Sequence, residues 1–261
     1  MSFNFEQPIT AYELIAIILS VFALIIPLIK FVYNKLIKRL KIDFLPSGMI
    51  TLYFNKSGAY ISLGGVYEAK NKDATVKEIS SKITRQSDNS TLSLNWSTFS
   101  SPVYREFGGK YETTFETAHP FKVDADTLYP VFIEFSSPND NMAEITNEIL
   151  SPLNKAASTI LNRQDINLTA ADTQIKQLKE YRDAQISIND NFFWKPGSYI
   201  LELTTKYNNL CMSKKYVFDL SNDESTRLRK NIDMLLVQPV ATHFGLNITI
   251  STVRKAFVEE K

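Results

Sequence analysis

Side chains that could act as nucleophiles, bases or metal ligands are few in this sequence. The chain has two histidines, His119 and His243, and one cysteine, Cys211. A zinc site needs several cysteine and histidine ligands at short spacing, so these residues predict no zinc centre. We interpret both histidines as structural. We interpret Cys211, which follows a predicted hairpin turn, as a small buried apolar residue without catalytic activity.

Oxygen ligands and phosphate-binding loops give weak signals. Asp124-Ala-Asp126 and Asn139-Asp-Asn141 have the composition of calcium turns, but the late glutamate of an EF-hand is absent. Polar turns explain both stretches. Phe107-Gly-Gly-Lys110 is a turn with a lysine, and it lacks the spacing of a Walker or dinucleotide loop. The sequence therefore predicts no metal and no cofactor.

Arginines and aromatic residues leave two binding alternatives open. A nucleotide pocket could use four arginines on predicted helices, although solvated helix faces also explain them: Arg163, Arg182, Arg227 and Arg229. The run Phe192-Phe193-Trp194, just before Lys195-Pro-Gly197, is a candidate interaction surface, with packing at the end of a sheet as the alternative. No G-x-S-x-G motif occurs. We expect a protein that is not an enzyme.

A membrane anchor is the most distinctive feature of the chain. Residues Leu14–Ile29 contain no charge. A bilayer core of about 30 Å needs roughly 20 helical residues, so we extend the predicted span to residues 11–33. Tyr12 and Tyr33 then lie at the two headgroup levels. Pro27, near one end, predicts a kink or a loosened turn, which membrane helices tolerate.

Three other interpretations fit the anchor less well. A cleaved signal peptide has positive charge before its apolar run, whereas Met1–Glu13 contains no lysine or arginine. A buried helix of a soluble protein would show an apolar stripe, and an in-plane interfacial helix would show a polar face. Residues 14–29 are apolar on all sides except at Ser20.

The charges next to the span predict its orientation. Five cations follow the apolar run, and none precedes it: Lys30, Lys35, Lys38, Arg39 and Lys41. Positively charged flanks stay in the cytoplasm, so we expect residues 1–10 outside the plasma (inner) membrane and residues 42–261 inside the cell. Residues 34–41 form a basic juxtamembrane segment. Either they continue the helix and contact anionic headgroups, or they are a plain stop-transfer flank.

Residues 42–261 are long enough for one large domain or two small ones. The whole chain carries 29 Lys and Arg against 28 Asp and Glu, and the anchor region takes five of the cations and two of the acids. The remaining domain is therefore slightly acidic. Such a domain lacks the basic surface that nucleic-acid binding requires, so we predict no nucleic-acid partner.

Alternating apolar residues predict a mainly β domain. Candidate strands are 50–54, 74–85, 91–96, 128–135, 199–203 and 211–220. Turn signals separate them at 55–58, Gly64-Gly65, 87–90, Gly108-Gly109 and 207–210. Short alternating strands separated by turns are typical of an antiparallel sandwich.

Helical periodicity interrupts this pattern at about residues 140–185. One helix is predicted over 142–150, a second from Ser151-Pro152, and a third from Thr169, where Thr169-x-x-Asp172 resembles a capping box. A further helix is predicted over about 222–236, opened by Ser221. After it, residues 246–250 alternate as a strand would, and residues 253–258 could be helical.

The layout resembles a loose group of bacterial single-pass proteins with a cytosolic immunoglobulin-like β-sandwich. The resemblance covers about half of the chain, through the anchor and residues 121–124, 131–135 and 196–203. The helical insertion departs from a simple sandwich. Some proteins of this group are encoded beside antiviral defence genes, so the resemblance implies antiviral defence as a setting.

Three functions follow as hypotheses. The first is a non-enzymatic binding module, a subunit or scaffold of a complex at the inner membrane face, with the lipid bilayer and a protein partner or a second copy as its contacts. The second is a sensor–effector that oligomerises on binding a ligand and perturbs the membrane. The third is a membrane-bound hydrolase, for which the sequence offers no catalytic set. Whether a small molecule binds stays open.

Overall fold

A computed structural model describes residues 10–33, 38–56, 58–107, 110–136 and 141–260. Its helices are α1 (Ala11–Val32), α2 (Asn141–Leu161), α3 (Leu168–Gln177), α4 (Lys179–Asp190), α5 (Asn222–Leu236) and α6 (Gln238–His243). Its strands are β1 (Lys41–Asn55), β2 (Gly58–Lys70), β3 (Ala74–Arg85), β4 (Thr91–Phe107), β5 (Lys110–Thr117), β6 (Phe121–Val123), β7 (Leu128–Ser136), β8 (Gly197–Tyr207), β9 (Leu210–Leu220), β10 (Val253–Ala256) and β11 (Val258–Glu259).

Helix α1 is the apolar helix that the sequence predicts. Thr10 caps it by accepting a hydrogen bond from the Glu13 N–H, and the Glu13 carboxylate accepts from the Thr10 N–H at 2.8 Å. The helix continues on both sides of Pro27, and the C-cap residue Tyr33 keeps helical dihedral angles. The helical alternative for the basic segment is wrong for residues 38–41, because Lys41 already begins β1.

The described strands form one antiparallel sheet. Its order is β10-β1-β2-β7-β4-β3-β8-β9-β11, with β5 paired to the second half of β4 and β6 paired to the start of β3. Side chains alternate between a buried face and an outer face along β1, β3, β8 and β9. This arrangement is barrel-like, and the predicted immunoglobulin-like sandwich of two facing sheets is not confirmed.

The carboxyl-terminal segment closes this sheet. Strand β10 pairs with β1 at one edge, and β11 pairs with β9 at the other edge. Between the two strands, Phe257 is buried, donates its N–H to the Gly48 carbonyl at 3.2 Å and contacts the Tyr216 ring edge-on. Seven residues, 253–259, thus join both edges. Neither a strand over 246–250 nor a helix over 253–258 forms, so both predictions for this region are wrong.

A lysine side chain also connects the two edges of the sheet that residues 253–259 join. Lys214 of β9 reaches across to β1, where its ammonium contacts the Asp43 carboxylate at 2.6 Å and the Phe44 carbonyl at 3.2 Å. The Glu259 carboxylate of β11 lies 3.5 Å from the same nitrogen. Only 17% of the Lys214 side chain is exposed, and in spite of burial these two carboxylates raise its pKa.

The glycine pair Gly64-Gly65 is not a turn, which corrects the prediction. Strand β2 runs through both residues, opposite the irregular stretch of β1 between Pro46 and Ile50. A Cβ atom at Gly65 would lie 2.4 Å from the Phe44 ring and 2.8 Å from the Leu45 carbonyl oxygen. Gly65 is therefore required for the close approach of the two strands. In the sequence, a pair of glycines at such a position has the same appearance as a turn.

All described helices after the anchor gather at one end of the barrel. Strands β7 and β9 end there and β8 begins there, so the connection that contains α2, α3 and α4 and the segment that contains α5 and α6 leave the sheet together. We call this the capped end. The opposite end, where β1 begins at Lys41, is the anchor end.

Buried polar contacts fix helix α5 to the capped end. The Ser225 hydroxyl donates to the Trp194 carbonyl at 2.6 Å, and the Trp194 indole N–H donates to the Tyr53 carbonyl at 2.9 Å. The Asn231 amide donates to the carbonyls of Phe54 and Ser251 and accepts from the Ser251 N–H. Since these groups are buried, each bond prevents an unsatisfied polar atom in the core.

Two details of the helical region differ from the sequence prediction. Helix α2 is continuous from Asn141 to Leu161 and contains Pro152, so Ser151-Pro152 does not start a new helix. Helix α3 is capped by Asn167, whose side chain accepts the Ala170 N–H, and not by Thr169. The prediction for α5 is confirmed, because Ser221 and Glu224 form a reciprocal capping box at its start.

The glycine pair provides a test of the β1–β2 pairing. We expect Gly65→Ala to lower the free energy of unfolding by about 1–3 kcal/mol, because its methyl group must displace the Phe44 ring. Gly64→Ala is the matched control. Its Cβ would lie 3.1 Å from the Phe132 ring, and we expect a smaller loss of unfolding free energy. Urea unfolding of both variants in detergent measures the difference, and equal losses would contradict the strand assignment.

Candidate functional site

The three residues that the sequence marks for nucleophilic or acid–base chemistry lie on different elements. His119 precedes β6, and its Nδ1 is 3.0 Å from the Thr117 carbonyl oxygen. His243 ends α6 and contacts the Phe244 ring. Cys211 lies at the start of β9 and is exposed, so the prediction that it is buried is wrong. In the described residues, no hydrogen bond joins any two of them.

The acidic stretch 124–126 forms part of a turn. Lys122 places its ammonium between the carboxylates of Asp73 and Asp124, at 2.7 and 2.6 Å, and these bonds raise the pKa of the lysine. Asp126 adopts a positive φ of 57° and donates its N–H to the Ala69 carbonyl. Among the residues that the structure describes, no group of three His, Cys, Asp or Glu side chains is arranged to hold a metal ion.

Several sequence features lie partly or wholly outside the described residues. These are Asn139-Asp-Asn141, of which Asn141 alone is described, the glycines of Phe107-Gly-Gly-Lys110, and Lys35 of the basic segment. Phe107 and Lys110 pair with each other across the β4–β5 hairpin.

The aromatic run Phe192-Phe193-Trp194 packs into the core. Phe192 and Trp194 are 1% and 0% exposed, which leaves no surface for a partner to contact. Phe192 packs edge-on against Phe54, and Trp194 packs against Phe193 and Tyr199. The candidate interaction surface is therefore corrected to its alternative, packing at the end of the sheet, because these rings fill the space between the capped end and α5.

A buried arginine supports this aromatic packing. Arg85, the last residue of β3, is 5% exposed and donates two hydrogen bonds to the Asp88 carboxylate, at 3.0 and 2.6 Å. It donates a third to the Phe193 carbonyl at 2.7 Å and lies 5.7 Å from the centre of the Phe193 ring. The pKa of Asp88 lies well below its usual range, and the bidentate hydrogen bond from Arg85 is the largest cause of this shift.

The four arginines considered for a nucleotide do not share a cavity wall. Arg163 donates to the Gln174 side chain and lies beside α3. Arg229 covers the Phe192 ring, while Arg182 and Arg227 are exposed on α4 and α5. The structure thus places Arg163 in the connection between α2 and α3, Arg182 on α4, and Arg227 and Arg229 on α5.

Two cavities lie side by side at the capped end. The first, which we call the Lys56 cleft, has a volume of about 520 Å³ and lies between α2, α6 and the turn after β1. Its polar lining includes Lys56, Asn147, Asn154, Asn162, Gln238 and His243. The second, the apolar cavity, has a volume of about 270 Å³ and is lined by Phe54, Met234, Leu235, Ile248 and Ile250 among others. Lys56, Leu235 and Gln238 border both cavities.

Sequence reasoning missed the Lys56 cleft. Lys56 was visible only as part of a turn signal, Asn55-Lys-Ser-Gly58. The available signal is the spacing of Asn147, Asn154, Ser158 and Asn162, which places polar residues on one face of a helix that also buries Leu150 and Leu161. Nothing in the sequence indicates that α6 and the β1–β2 turn lie opposite this face.

Helix α1 is the second candidate functional feature. It is 22 residues long with a mean hydropathy of 2.8 over its most apolar stretch, and no residue of it is buried against the described part of the chain. Its one internal hydroxyl, Ser20, donates to the Ala16 carbonyl at 2.7 Å and so carries no unpaired donor. The helix is long and apolar enough to cross a membrane.

In comparisons with known proteins, the chain matches no family model, no curated protein and no solved structure.

The Arg85–Asp88 pair predicts a specific acid sensitivity. Because the folded pKa of Asp88 is depressed, its stabilising effect is complete above the ordinary aspartate pKa of 3.8 and is lost as the pH falls towards the folded value. Asp88→Asn should therefore be less stable than the native chain at pH 7, and the difference should shrink below pH 3.8.

Urea unfolding at a series of pH values measures this difference. The control is Asp190→Asn, since Asp190 forms no ion pair with the described residues. A deficit for Asp88→Asn that stays constant down to the lowest pH at which the protein still folds would contradict the assigned pair.

Proposed function

We propose that this chain is a membrane-anchored, non-enzymatic binding module that belongs to a complex at the inner face of the plasma membrane. The observation that carries the proposal is the fully uncovered apolar helix α1 in front of a domain that buries its own core without it. An exposed apolar surface of this extent is stable only when lipid or another protein covers it.

The charges on either side of α1 support the orientation within this proposal. Glu13 lies in the first turn and Lys30 in the last, and Lys38, Arg39 and Lys41 follow. Cations are retained on the cytoplasmic side, and this supports an orientation with the barrel and its helices inside the cell. The long side chain of Lys30 can extend along the helix to the headgroups, so its charge does not prevent insertion.

Anchoring also explains how such a module could act without a catalytic centre. A domain confined to a membrane surface meets partners on the same surface at a high effective concentration, so weak contacts are sufficient. The partner in this proposal is another protein or a second copy of the chain. A setting in antiviral defence stays a prediction of the resemblance.

Removal of the apolar character of α1 tests the anchor. The double variant Phe22→Arg and Ile25→Arg places two charges near the centre of the span, at about 3 kcal/mol each. We expect the native chain to remain with the membrane in alkaline carbonate and the variant to appear in the soluble fraction. Leu210→Arg with Leu246→Arg, at two exposed positions of the barrel domain, is the control and should stay membrane-bound. Release of the native chain would refute the proposal.

The single exposed cysteine tests the orientation. With Cys211 inside the cell, a membrane-impermeant maleimide should label it only after the expressing cells are permeabilised. In a Cys211→Ser background, Ser2→Cys should be labelled on intact cells, because the amino terminus lies outside. Labelling of Cys211 on intact cells would show that the predicted orientation is wrong.

A further inference from the structure

We propose that the Lys56 cleft binds a nucleoside monophosphate, a small organic phosphate that carries a hydrogen-bonding ring. The inference deepens the proposed binding function, on which it rests, by naming the chemical class of ligand and the residues that hold it. The cleft has a volume of about 520 Å³, within the range of small-molecule sites.

Side-chain amides form one wall of the cleft. Asn147, Asn154 and Asn162 lie along α2 and just beyond its end, with Ser158 between them. Gln238 faces them from α6. These four amides are exposed, and none has a hydrogen-bond partner within the described part of the chain, so each is available to a ligand. Amides offer a donor and an acceptor together, which is the pattern that the edge of a nucleobase requires.

Electrostatics favour an anion in the cleft. The Lys56 ammonium is exposed at its border and forms no ion pair with a described residue. His243 also lines the cleft, and no aspartate or glutamate is among the described lining residues. No acidic side chain among the described lining residues competes with an anionic ligand for the Lys56 ammonium. A phosphate group provides the compensating charge and several acceptor oxygens for Lys56.

The apolar cavity next to Lys56 offers a surface for the organic part of such a phosphate. Met234, Ile248 and Ile250 line it, and Lys56 and Gln238 form the boundary with the Lys56 cleft. A ligand with a phosphate at this boundary can therefore place a ring on either an apolar or an amide-lined surface. Inorganic phosphate would use neither surface, so it should bind more weakly.

The position of the cleft favours a soluble ligand over a lipid headgroup. Lys41 begins β1 at the anchor end and Lys56 follows its last residue, so about 45 Å of strand separates the cleft from the anchor end. A single lysine in a slightly acidic domain also matches one phosphate group and not the repeating charge of a nucleic acid.

Calorimetric titration of the full-length chain in nanodiscs tests the proposal. The probes are AMP, GMP, CMP and UMP, with adenosine and inorganic phosphate as the two partial ligands. We expect at least one nucleotide to bind saturably, and at least tenfold more tightly than inorganic phosphate or adenosine. Equal affinity for inorganic phosphate, or no saturable binding by any nucleotide, would overturn the proposal.

Matched variants assign the site. Lys56→Gln and Asn154→Ala should each weaken nucleotide binding, Lys56→Gln by at least tenfold. The controls Lys155→Gln and Gln164→Ala are exposed positions outside the cleft lining and should bind as the native chain does. Native affinity in Lys56→Gln, or an equal loss in Lys155→Gln, would refute the assignment.

Circular dichroism verifies that each variant is folded. A variant that is not folded is replaced by Gln238→Ala, which should also weaken nucleotide binding, and native affinity in this variant would refute the assignment. Carbonate extraction of the same preparations separates the two proposals, because loss of nucleotide binding leaves membrane retention unchanged, and loss of retention leaves the cleft intact.

Discussion

Closure of the sheet by residues 253–259 is the constraint on which the rest of this structure depends. Without β10 and β11, strands β1 and β9 would each present an unpaired edge, and open edges of this length invite association with other chains. The segment supplies backbone partners to both edges, and Lys214 joins Asp43 to Glu259 across the same seam. The barrel-like sheet is thus closed by a segment that follows all the described helices in sequence.

Closure also determines where the helices can lie. In an antiparallel barrel, every connection emerges at one of the two ends, and here α2 to α6 all emerge at the capped end. Asn231 of α5 donates to the Phe54 carbonyl near the end of β1, while Ser225 of α5 donates to the Trp194 carbonyl. The Trp194 indole in turn donates to the Tyr53 carbonyl of β1. The Lys56 cleft and the apolar cavity both lie at this end, between these helices and the residues at the end of β1.

Local features were predictable from the sequence because their causes are local. The Ser221 cap, the apolar helix α1 and the hairpin between Tyr207 and Leu210 each follow from residues within a few positions of one another. The long-range arrangement of the strands was not predictable, because alternating strands have the same sequence pattern in a barrel and in a sandwich. The Gly65 approach to Phe44 and the burial of Trp194 also depend on partners that are distant in sequence, as do both walls of the Lys56 cleft.

Among the described residues, α1 makes no packed contact with the domain that carries the Lys56 cleft, which is more compatible with the proposed tethered binding module than with a sensor that deforms the membrane by itself. Strand β1 is hydrogen-bonded to β2 on one side and to β10 on the other, so it is held along most of its length. Helix α1 buries none of its residues against the described domain. A change at Lys56 therefore has no packed route to α1, and coupling between distant sites requires an element with two arrangements that both sites can bias. In the proposed function, a single copy needs only to keep its ligand close to the bilayer. An effect on the bilayer would require several copies to assemble, with contacts on the outer surface of the barrel or between their membrane helices.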